Sequence, residues 1–221
     1  MPTVLITGAN RGIGREFARQ YLAGGWRVIA TCRDTAQYDL EGEVFPLDVA
    51  DGASIAALAE RLRGEAIDLL VNNAGIGGPE NSEFGHIDYD GWAETLRVNL
   101  MGPIRMAEAF VDAVARSDMR KMAFVTSRMG SIADNSSGGE YAYRTSKTAL
   151  NMAVRSLSID LAPKGVICVL LHPGWVKTDM GGKSAPIDAA TSVAGMRATI
   201  ERATKADNGR FLNYEGKALP W

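Results

Sequence analysis

Cysteine and histidine are scarce in this chain, with two of each among 221 residues. Cys32 and Cys168 each lie inside a strand-like apolar run, which argues against a disulfide framework and against a thiolate metal site. His86 and His172 are too few and too scattered to suggest a metal cluster, so no metal is expected. An excess of charge is missing too. A net charge of −2 creates no field to gather nucleic acid or anionic lipid, and neither is expected as a partner. No apolar run is long enough for a membrane span, and the N-terminus passes straight into Val4-Leu5-Ile6 without a charged-then-apolar leader. Internal repeats and low-complexity tracts are also absent. The expectation is one soluble, cytoplasmic domain over 1–221, with enough hydrophobic residues (46%) for one substantial core.

What is present is an alternation of strand and helix patterns. Apolar, β-branched runs predict strands over Thr3–Thr7, Arg27–Cys32, Glu43–Leu47, Ile67–Val71, Met122–Thr126, Val166–Leu171 and Gly209–Tyr214. Helical spacing of apolar residues predicts helices between them: one after Gly14, one over Ala53–Leu62, and one long helix from Asp88 to Val114. Two more follow, one carrying Tyr143 and ending at Pro163, the other over Ala189–Arg202. Alternation of this kind implies an α/β, single-domain Rossmann fold: a doubly wound, seven-stranded parallel sheet with helices on both faces.

Between the first strand and the first helix stands Gly8-Ala9-Asn10-Arg11-Gly12-Ile13-Gly14, the context a dinucleotide fingerprint requires. Gly8 would allow the turn, Gly12 would let backbone approach a pyrophosphate, and Gly14 would let helix and strand pack closely. Amides at the helix start would hold the phosphates. The spacing is G-x-x-x-G-x-G, and a purely structural glycine turn is the competing reading. At the end of the second strand, Cys32 occupies the place where an acidic residue would grip the ribose hydroxyl of NAD, and Arg33 follows. Arg33 and Arg11 together would clamp a 2′-phosphate, so NADP(H) is expected over NAD(H); two solvated arginines are the alternative.

Tyr143 and Lys147 lie four residues apart on one helix, one above the other. An ammonium beside a phenol favours phenolate and lowers its pKa toward the range of a general acid or base. The bare pattern is otherwise a half-exposed tyrosine beside a solvated lysine. Further upstream, Pro103 lacks the N–H that would bond the carbonyl of Asn99, leaving that carbonyl available inside a helix.

Taken together, these residues resemble the short-chain dehydrogenase/reductase family over essentially the whole chain. The resemblance is carried by Thr7-Gly8-x-x-x-Gly12-Ile13-Gly14, Asn72-Asn73-Ala74-Gly75, Asn99, Ser127, Tyr143-x-x-x-Lys147 and Pro173-Gly174. The stretches Ser127–Ile132, Tyr141–Tyr143, His172–Trp175 and Leu219–Trp221 are most like the sniffer and C-factor branch of NADPH-dependent carbonyl reductases and signalling homologues. The resemblance implies that Tyr143 passes a proton to or from substrate oxygen. Lys147 would lower its pKa and bond the nicotinamide ribose, and Ser127 would hydrogen-bond the carbonyl. Asn99 would hold a water linked to Lys147 through its backbone carbonyl. Gly8, Asn10, Arg11, Gly12, Ile13, Gly14 and Arg33 would bind the phosphates, and Asp48 and Val49 would meet the adenine. Asn73, Ala74 and Gly75 would line the cofactor cleft; Pro173 and Gly174 would adjoin the cofactor, with Val176 and Thr178 at the carboxamide.

Several positions remain open at this level. Ser131 competes with Ser127, Tyr141 points away from the Lys147 face, and Arg128 suits either an acidic substrate or the plain surface. His172 reads as structural, Trp175 as a wall of the substrate pocket, and Thr178–Asp188 as a lid. The expected activity is NADPH-dependent reduction of an aldehyde, ketone or quinone to an alcohol. The alternative is a C-factor-like signalling or redox-sensing protein that binds nucleotide with little turnover. An NAD-dependent alcohol dehydrogenase is disfavoured by Cys32 and Arg33. A homodimer pairing the helices around 99–114 and 150–161 is a further expectation.

Overall fold

The strand β1 (Thr3–Thr7) is buried at every position, as its unbroken apolar run requires. Its residues alternate between two cores: Val4 and Ile6 face one, and Leu5 faces the other. In the computed structural model, which describes residues 1–80 and 83–221, β1 is an interior strand of a seven-stranded parallel sheet, beside the central one. The other strands are β2 (Arg27–Cys32), β3 (Glu43–Pro46), β4 (Leu69–Asn72), β5 (Lys121–Val125), β6 (Ile167–His172) and β7 (Phe211–Asn213). Their order is β3-β2-β1-β4-β5-β6-β7, so the winding reverses between β1 and β4. Ligands bind such sheets beyond the strand carboxyl ends, at the reversal.

Helices cover both faces. On one side α1 (Gly12–Ala23) and α6 (Ala189–Arg202) bury Phe17, Ala18, Tyr21, Val193, Met196 and Ile200. On the other, α2 (Gly52–Arg61), α4 (Gly102–Ala115) and α5 (Tyr141–Leu161) bury Ile55, Leu58, Met106, Phe110, Leu150 and Val154. Each large aliphatic or aromatic side chain so buried contributes about 1.5–3 kcal/mol. The short helix α3 (Tyr89–Leu96) leads into α4. Lys121, at the start of β5, donates to the carbonyls of Ile200 and Glu201 at 2.7 and 2.9 Å, completing the C-terminal turn of α6.

The long helix expected from Asp88 to Val114 is interrupted. Residues Arg97–Met101 form a π-helical turn between α3 and α4, with the Gly102 N–H reaching back to the Arg97 carbonyl. The apolar pattern runs through the turn, so periodicity does not register it. Pro103, near the start of α4, cannot supply the donor that a continuous α-helix would need there. Turns of this type concentrate at functional sites. Strand ends also differ by a residue or two. β5 stops at Val125, so Ser127 lies two residues beyond it instead of directly after it. β7 is confined to three residues, because Gly209 takes a left-handed conformation (φ +75°) and Arg210 N–H turns back to the Asp207 carbonyl before the strand begins.

Candidate active site

Three helices begin with aspartate caps: Asp51 accepts from Ala53 N–H, Asp88 from Gly91 N–H and Asp188 from Thr191 N–H. Helix α1 does not. Its N-cap is Arg11, no side chain caps it, and its first turn carries no acidic residue. The first-turn amides therefore present a positive end with no side-chain acceptor among the described residues, which fits a phosphate. The turn before it is braced from β4. Thr7 Oγ1 accepts from the N–H groups of Asn73 and Ala74, both at 3.0 Å, and Asn73 Nδ2 donates to the carbonyls of Thr7 and Gly8. Gly8 and Gly12 have φ of +68° and +53°, and a Cβ on Gly14 would collide with the Gly8 carbonyl and Asn73. These glycines are required by the backbone they form. Thr7 as the receiver of two amides, and Asn73 as a brace, are roles that sequence reasoning missed. Ile13 packs its half-buried side chain against the core on the α1 side.

Past the β4 end, Gly75 is the meeting point of three elements. A Cβ there would lie 3.2 Å from Asn99 Oδ1 and 3.7 Å from Lys147 Nζ. Asn99 is fully buried in the π-helical turn. Its side chain accepts from Ile76 N–H at 2.9 Å and donates to the Ile76 carbonyl (2.8 Å) and Ser146 Oγ (3.1 Å). The side chain thus ties the β4 loop to α5, a role distinct from the carbonyl role the resemblance implies.

Tyr143 and Lys147 lie on the first turns of α5 with Nζ 5.7 Å from the phenol ring centroid. Lys147 is buried and donates to the Val125 carbonyl at 3.1 Å. Burial pulls its pKa down to about 8. The expected depression of the Tyr143 pKa is not what this environment produces. Burial pushes the phenol above its usual value, and a hydrogen bond with Ser127 only partly opposes that. Ser127 is thereby distinguished from Ser131, whose Oγ instead accepts from Asp134 N–H at 3.1 Å. Tyr141 turns away toward Trp92, its ring 6.3 Å from the indole. Arg128 is an exposed arginine paired with Asp134 at 2.7 Å.

The segment after β6 closes over the glycine turn. Pro173 accepts from Ser192 Oγ at 2.6 Å, and Gly174 has φ of +85°, with no room for a Cβ beside Ile187. Val176 is buried, and Thr178 sits 3.4 Å from where a Gly12 Cβ would stand. The anticipated lid, Thr178–Asp188, is fastened at both ends. Lys177 N–H donates to the Ile187 carbonyl at 2.8 Å, and the half-exposed Trp175 donates from Nε1 to the Gly181 carbonyl at 2.7 Å. His172, at the end of β6, is largely buried with Nδ1 unpaired among the described residues. Burial and the nearby Arg128 charge pull its pKa down to about 4. Among the described residues no group of potential ligands could hold a metal, and no helix is long and apolar enough to cross a membrane.

The family model for short chain dehydrogenase matches residues 2–188. The chain belongs to the short-chain dehydrogenase family. The chain is 49% identical over 155 residues to C-signal from Myxococcus xanthus, covering 70% of this chain and 93% of that protein. The structure of carbonyl reductase Sniffer from D. melanogaster superposes with a TM-score of 0.93 at 35% identity, covering 100% of both chains. An NADPH-bound carbonyl reductase from chicken fatty liver superposes with a TM-score of 0.91, also at 35% identity, covering 100% of this chain and 99% of that one.

Within this short-chain dehydrogenase the remaining predicted cofactor residues are spread along the sheet edge. Arg33 is exposed and forms no ion pair among the described residues. Arg11, its expected partner, is paired with Asp179 at 3.1 Å, both side chains well exposed. Asn10 donates to Gln37 at 3.0 Å. Asp48 is exposed and accepts from Ala50 N–H. Val49 is buried, and Gly102 gives it the space it occupies, since a Cβ on Gly102 would stand 3.0 Å from Val49 Cβ.

Proposed function

We propose that this short-chain dehydrogenase is an NADPH-dependent reductase that converts an aldehyde, ketone or quinone to an alcohol. The observation that carries the reading is the convergence of Ser127, Tyr143 and Lys147 beside a helix start that no protein side chain caps. Bound NADPH supplies the hydride. Tyr143 gives its phenol proton to the substrate oxygen. Its raised pKa suits this direction, because the group stays in its acid form until the oxygen becomes basic. Ser127 donates a hydrogen bond to the same oxygen and stabilises charge developing there. With its pKa near 8, Lys147 is mostly protonated at neutral pH and supplies a positive charge behind the phenol. Asn99 would hold, through its backbone carbonyl, a water linking Lys147 to solvent, and along this line the Tyr143 phenolate would regain from solvent the proton it gave to the substrate oxygen. The α1 amides would hold the diphosphate, and Arg33 with Arg11 would receive the 2′-phosphate, Arg11 giving up Asp179 for it.

The likeness to C-signal favours a second reading, a nucleotide-binding signalling protein with little turnover. The two separate on one experiment: NADPH binding measured by fluorescence, followed by NADPH oxidation against a panel of quinones, aldehydes and ketones. The reductase reading predicts binding and turnover. Binding without turnover across the panel favours the signalling protein.

A further inference from the structure

The segment 128–140 connects Ser127 to the helix that carries Tyr143, and it packs against that helix at Gly130, where a Cβ would stand 2.9 Å from Lys147 Cβ. Its base is held from within: Met129 N–H donates to Ser127 Oγ, and Thr148 Oγ1 donates to the Gly130 carbonyl at 3.0 Å. Its crest is held from outside. Ala133 N–H donates at 2.9 Å to the main-chain oxygen of Trp221, a residue 88 positions away in sequence. Trp221 is itself placed by β7. Leu219 N–H donates to the Phe211 carbonyl at 2.9 Å, and the Trp221 ring packs on the Phe211 ring with centroids 5.7 Å apart. Phe211 is 2% exposed and part of the core beneath α4 and α5. A continuous line of contacts therefore runs from the core through Trp221 to the crest of the segment. Beside that anchor stands Ile132, an apolar side chain left 73% exposed.

We propose that Trp221 is a positioning residue that holds the Ile132–Ala133 crest as an apolar wall and thereby selects carbonyl substrates with a bulky apolar substituent. The proposal rests on the reductase reading. A small carbonyl compound needs only Ser127 and Tyr143, whereas a bulky apolar one also packs against the crest. Loosening the anchor should raise KM for the second and leave the first alone.

Three variants test it. Ala133→Pro removes the donor alone: Asn135 N–H bonds back to the Ile132 carbonyl, so residue 133 is the turn position that proline favours. Trp221→Ala removes the ring that fixes the accepting main-chain oxygen, and Trp221→Phe keeps a ring to pack on Phe211. Amide hydrogen exchange over residues 132–136 reads the anchor without any need for turnover, and kinetics with a small and a bulky apolar ketone reads selection. The expected result is exchange faster by about tenfold in Ala133→Pro and Trp221→Ala, as for loss of one ordinary hydrogen bond. KM for the bulky ketone should rise severalfold in both, with kcat, NADPH affinity and KM for the small ketone unchanged and Trp221→Phe close to wild type. Unchanged exchange overturns the anchor. Faster exchange with an unchanged ratio of the two KM values overturns the role in selection. A wild-type protein that binds NADPH but turns over no quinone, aldehyde or ketone of the panel, with faster exchange in the variants, overturns the reductase reading, and selection with it, while leaving the anchor standing.

Discussion

Lys147 is the residue whose environment most clearly departs from what its sequence neighbours suggest. Four residues after Tyr143 on an amphipathic helix, it reads as a positive charge acting on a phenol, and the pairing itself is found. The depth of burial is not legible from spacing, because it depends on Gly75 and the Val125 carbonyl closing around the ammonium. That burial has a measurable signature. Between a folded pKa of about 8 and the ordinary 10.5, the unfolded chain holds a proton that the folded chain has lost. Stability should rise with pH across this window, and at neutral pH the charged lysine imposes its full cost of about 3 kcal/mol. Lys147→Met lacks the titrating group. Urea denaturation should show its stability relative to wild type falling as pH rises through this window; parallel profiles would mean that the lysine is not desolvated. At the cofactor edge, Arg33 is a free cation among the described residues, next to a cysteine that is a poor acceptor for a ribose hydroxyl. Arg33→Asp should therefore lower NADPH affinity by an order of magnitude or more and narrow the NADPH-over-NADH preference, the size expected for losing a charge-assisted contact. An unchanged affinity ratio, read by fluorescence titration, would remove Arg33 from the 2′-phosphate site.

At the level of elements, the strand–glycine turn–helix unit was readable because each glycine has a distinct steric task. Gly14 is the most constrained, facing both the Gly8 carbonyl and Asn73. Gly14→Ala should destabilise the protein by about 1–3 kcal/mol or more, as overpacking does, and should weaken NADPH binding by displacing the turn. A thermal midpoint equal to wild type would show that the turn has slack the structure does not display. The helix over 88–114 was readable only in part. Its apolar pattern continues across the π-helical turn, and one extra residue in one turn shifts the stripe too little to stand out. Pro103 was the visible clue, and it falls within two residues of the interruption. The segments 128–140 and 178–188 were legible only as polar connections. Their shapes come from long-range bonds, such as Ala133 to Trp221 and Arg11 to Asp179, that no local pattern encodes.

For the whole molecule, seven parallel strands and helices on both faces follow from the alternation of apolar runs with helical spacing, whereas the strand order is read from the structure. The reversal between β1 and β4 sets the glycine turn beside Asn73. Ser127 and the Tyr143 helix follow two strands' breadth away, beyond β5. The fold thus gathers residues from four separate stretches at one end of the sheet. The central claim is that this gathering performs carbonyl reduction with Tyr143 as the proton donor. The most direct measurement is NADPH oxidation with a carbonyl substrate by wild type and Tyr143→Phe side by side, with NADPH binding confirmed for both. The account predicts equal binding and a loss of several orders of magnitude in turnover in the variant, since only the transferable proton is removed. Near-normal turnover by Tyr143→Phe would contradict it.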